Sequence, residues 1–72
     1  MSRTTIRAEM AQAIRIVNAA YHRLDFEDRE RVNLIGIEPV EAALEDRDDD
    51  RALAAVADWS HRQLAAIREV AR

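Results

Sequence analysis

The stretch from Arg51 to Arg72 constrains the fold more than any other part of this chain. It reads as one uninterrupted helix with apolar side chains around more than half of its circumference. Leu53, Val56, Ala57, Leu64, Ile67 and Ala71 share one face. Ala52, Ala55, Trp59, Ala66 and Val70 share an adjoining one, and Arg51, Asp58, Arg62 and Glu69 form a narrow polar strip opposite. The summed apolar arc is roughly 200° wide, against the roughly 100° of an ordinary surface helix. A chain of 72 residues has few neighbours to offer such a surface. The surplus therefore predicts contact with a second polypeptide, self or foreign.

Small size sharpens that expectation. A domain of this length buries only roughly 60% of its unfolded surface, so small folds usually need a disulfide, a metal or a partner. The chain has no Cys, which removes disulfides and thiolate metal sites together. A partner chain is the remaining staple, and self-association through the last helix, as a homodimer, is the simplest form of it. The lack of Cys also fits a reducing cytoplasm. Met1 to Met10 has no apolar leader core, and no apolar run has the length of a membrane span.

The periodicity predicts an all-α fold: a small helical bundle in one domain, residues 1–72, with long N- and C-terminal helices joined by one or two short ones. No segment alternates with period two, and a single Gly and a single Pro leave few turns. Helix one is expected from about Thr5 to Leu24. Ile6, Met10, Ala13, Ile14, Val17, Ala20, Tyr21 and Leu24 form its apolar stripe, Ser2 or Thr4 is its cap, and Ile16 lies off the stripe. A second helix is expected from Phe26 to Ile35, capped by Asp25 and stopped by Gly36, with Val32 and Ile35 facing inward. A third is expected from Pro39 to Glu45, with Pro39 in its first position. Asp48 is expected to cap the last helix, with Asp49 and Asp50 in its first turn.

Charge is unevenly spread. Residues 38–51 hold seven acids against Arg47 and Arg51, a net of −5, while the segments on either side are each +1. Glu45, Asp46, Asp48, Asp49 and Asp50 mark a candidate acidic docking surface for a basic partner. Solvated caps and loop account for the same residues. An alternative reading is mimicry of nucleic-acid phosphates, as in small acidic inhibitors of the phage and mobile-element type. All eleven basic residues are Arg, which fits Arg-rich codon usage or Arg-based recognition of anions.

Val32 to Pro39 resembles the corner of a helix-turn-helix DNA reader, which implies a transcriptional regulator as a further alternative. The helix that would read DNA, Pro39 to Asp46, has no base and several acids, so phosphates would repel it. Phosphate contacts would then fall to Arg3, Arg7 and Arg15. Direct nucleic-acid binding is accordingly disfavoured. Ile35-Gly36-Ile37 and Ala42 to Leu44 also resemble the first loop and second helix of a ubiquitin-associated-type unit, from which no functional residue is carried over.

Chemistry finds little purchase. His22 with Asp25, and Asp58 with His61, have the i, i+3 spacing of bundle metal ligands, but both His fall on polar helix sides. Ser60 beside His61 diverges from it by about 100° and makes no dyad. No metal, cofactor or catalytic residue is expected. The reading is a non-enzymatic protein-interaction module, a regulator, adaptor or inhibitor, with Val56, Trp59, Ala66 and Val70 as the expected interface.

Overall fold

The computed structural model describes residues 3–71, with side chains from Arg7 onward. The element order is α1 (Arg3–His22), α2 (Phe26–Arg31), α3 (Glu38–Glu45) and α4 (Asp49–Val70). This is the expected small all-α bundle, with long helices toward both ends. No described helix is long and apolar enough to cross a membrane. α1 already includes Thr4, which is therefore not its cap; Ser2 and the side chains of Arg3 and Ile6 lie outside the described residues.

The helix starts follow the expected capping chemistry. Asp25 Oδ1 accepts a hydrogen bond from the Asp28 N–H at 2.9 Å and opens α2. Asp48 Oδ1 accepts from the Arg51 N–H at 3.1 Å and opens α4, leaving Asp49 and Asp50 at the positive end of the helix dipole. α3 begins at Glu38, one residue before Pro39, and its Ile37 N-cap contributes no side-chain bond.

The α3–α4 turn closes as a Schellman motif. The Asp48 N–H reaches back to the Ala43 carbonyl at 2.9 Å and the Arg47 N–H to that of Leu44 at 3.1 Å. Arg47 holds the left-handed position at φ 55, which side chains other than Gly occupy at a cost.

Two differences from the sequence-based expectation shape the rest of the molecule. α2 ends at Arg31, not Ile35, and residues 32–37 are non-helical. Gly36 therefore stops no helix, and its φ is not positive. The corner between α2 and α3 is six residues long, longer than the tight three- or four-residue turn of a helix-turn-helix.

The second difference concerns α4. Its wide apolar arc is met largely by its own chain. α1 and α3 both pack against α4, and the 33–35 segment is hydrogen-bonded to it as a third neighbour. Val17, Val32 and Ile67 form the buried centre of a cluster that includes Tyr21, Leu24, Trp59, Leu64, Ala66 and Val70. Val40 and Ala43 of α3 are buried, as are Ala52 and Val56 of α4. The core is thin: no large side chain among those described is fully enclosed. The radius of gyration is 13.2 Å, against about 11 Å for a compact chain of this length.

Candidate functional site: an uncharged groove between α1 and α4

The 33–35 segment is fixed by side chains of α4. The Trp59 indole N–H donates to the Ile35 carbonyl at 2.8 Å. Gln63 makes two bonds from the middle of the helix. Its Oε1 accepts from the Ile35 N–H at 2.8 Å, and its Nε2 donates to the Asn33 carbonyl at 3.0 Å. Gln63 is only 4% exposed, and among the described residues it is the one buried polar side chain. A non-helical backbone away from any sheet leaves its N–H and C=O groups without partners, and these three bonds supply them.

Holding the segment against α4 opens a groove beside it of about 320 Å³. Val17, Asn18 and Tyr21 of α1 form one wall, Trp59, Gln63 and Ile67 of α4 the other, and Leu34 and Ile35 the rim. The lining is mostly apolar, with two aromatic rings and two amides. It contains no Asp, Glu, Arg or His. Leu34 is 68% exposed although it borders this apolar recess. Among the described residues Tyr21 Oη makes only a long bond, 3.5 Å, to the Arg29 carbonyl.

The expected interface residues are placed unequally. Val56 is buried within its own chain, so it is no surface for a second one. Trp59, Ala66 and Val70 are half-buried and pack on the chain's own core. Trp59 also borders the groove, whereas Ala66 and Val70 do not. Among the described residues the large exposed apolar side chains lie off α4 altogether: Ile16, Phe26, Leu34, Ile37 and Leu44. Gln63 and Leu34 were not singled out by periodicity. The signal for Gln63 is its place four residues from both Trp59 and Ile67, at the centre of the apolar arc.

The acidic residues gather at the α3–α4 turn. Asp46, Asp48, Asp49 and Asp50 surround an open concavity with Arg47, and Glu45 lies exposed beside it at the end of α3. Part of this charge is already engaged. Asp46 Oδ2 accepts from Arg51 at 2.7 Å, and Asp48 lies 3.9 Å from the same guanidinium while capping α4. The hydrogen bond to Asp46 raises the pKa of Arg51 above its ordinary value, further favouring the charged form. Among the described residues no three His, Asp or Glu side chains converge as metal ligands. Asp58 pairs with Arg62 at 3.1 Å. His22 lies edge-on to the Tyr21 ring at 5.5 Å.

Comparison of the chain with protein-family models, with curated proteins and with solved structures returns no match.

Proposed function

We propose that this protein is a non-enzymatic interaction module, a small regulator, adaptor or inhibitor that acts by docking another polypeptide in the groove between α1 and α4. The carrying observation is the uncharged, largely apolar groove rimmed by Leu34, an exposed leucine on a backbone held rigidly by Gln63 and Trp59. Exposing a large aliphatic side chain beside an apolar recess costs free energy in water, and covering both with a partner recovers about 25 cal/mol per Å² of apolar surface. Tyr21 is the one titratable side chain in the lining, which gives the groove a binding character over an acid–base one. The absence of Cys suits work in the reducing cytoplasm.

Selection of random peptides against the folded chain tests this reading. The expected result is enrichment of peptides with closely spaced apolar anchors, whose binding falls at least roughly tenfold in Leu34→Asp. Failure to enrich any sequence, or equal binding to Leu34→Asp, overturns it.

A further inference from the structure

Resting on the reading of the groove as a docking surface, we infer that its occupant is a second copy of this chain. Area is the first argument. The chain exposes 5392 Å² at a mass of 8.2 kDa, where a folded monomer of that mass exposes about 4,500 Å². The surplus of about 900 Å² is spread over an elongated molecule of 39 × 18 × 14 Å, and it leaves surface enough for the roughly 800 Å² that each partner contributes to an interface of standard size.

Charge is the second argument. In a two-fold contact the same patch faces itself, so an ionised lining would set like charges against each other. This groove has no ionised lining residue, although 35% of the chain is charged. A recess shaped for a charged partner would present the opposite sign, and among the described residues the carboxylate-lined concavity lies elsewhere, at the α3–α4 turn.

Hydrogen bonding is the third. The Asn18 amide and the Tyr21 hydroxyl each donate and accept, so each is able to pair with its own counterpart across a two-fold axis. Trp59 and Gln63 are already bonded to the 33–35 segment and serve as walls. Leu34 supplies the projecting side chain and the groove supplies the recess, so one chain carries both halves of the contact.

Sedimentation equilibrium of the full chain, from micromolar to millimolar concentration, tests the inference. The wild type is expected to pass from 8.2 kDa to twice that mass. Leu34→Asp is expected to associate at least roughly tenfold more weakly, with unchanged circular dichroism because Leu34 is exposed. Leu44→Asp, also exposed but on α3 and outside the groove, is expected to associate like the wild type. A single 8.2 kDa species throughout overturns the second copy. So does a dimer weakened equally by both variants, or only by Leu44→Asp. Peptide selection separates the two claims: a monomer that still selects peptides through Leu34 loses the second copy and keeps the docking surface, and a chain that does neither loses both.

Discussion

Gln63 shows how one polar side chain positions a site without belonging to its chemistry. It lies on the most apolar side of α4, 4% exposed, and its amide matches one backbone donor and one backbone acceptor of the facing segment. Replacing it with Leu preserves the volume and removes both bonds, leaving the Ile35 N–H and the Asn33 carbonyl without their partner. Gln63→Leu is expected to destabilise the fold by about 2 kcal/mol, measured by urea unfolding, with faster amide exchange at Ile35 than in the wild type. An unchanged unfolding midpoint would show that the two bonds do not hold the segment. Trp59 has a mixed role, since its ring packs on the core and its N–H bonds Ile35. Truncating it disturbs fold and groove together, which makes Leu34 the cleaner probe of docking. Neither role is readable from periodicity, which ranks positions by face. What was readable is the general rule that a buried amide must find partners.

At the scale of elements, the helices that obey local rules were legible and the segment that obeys tertiary ones was not. Asp25 and Asp48 accept N-terminal N–H groups of their helices as their positions imply. The extension of α2 through Ile35 failed because Val32 and Ile35 have β-branched side chains with weak helical preference. Two side chains far along the sequence, Trp59 and Gln63, also take the backbone groups that a longer helix would have used. Gly36 looked like punctuation for that helix and has no positive φ. The left-handed position falls instead on Arg47, in the α3–α4 turn. Glycine fits there without the Cβ penalty, so Arg47→Gly is expected to raise stability by about 1 kcal/mol. In thermal unfolding that corresponds to an increase of about 4–8 °C for a domain of this size. A fall in the midpoint would mean that the Arg47 side chain contributes more than its backbone costs.

For the whole molecule, the breadth of the α4 arc correctly implied contacts on more than one side and misplaced their source. Periodicity gives the width of an apolar surface and says nothing of how many segments of the same chain fold onto it. Here α1, α3 and the 33–35 segment meet α4, and Val56 lies inside. The unmet apolar surface lies instead on Ile16, Phe26, Leu34, Ile37 and Leu44, of which Leu34 borders the groove, on a stretch expected to be helical. The acidic band was legible as a sequence feature. Its local work, closing the turn with Arg51 and capping α4, depends on geometry that charge counting does not give. The central claim is that another polypeptide fills the groove between α1 and α4. The most direct measurement is isotope-filtered nuclear magnetic resonance on an equal mixture of labelled and unlabelled chain at millimolar concentration. The account expects intermolecular cross-peaks from the Leu34 methyls to the Tyr21 and Trp59 rings. Methyls that show only intramolecular neighbours under conditions where the chain is dimeric, or a chain that stays monomeric and binds no peptide at Leu34, would contradict it.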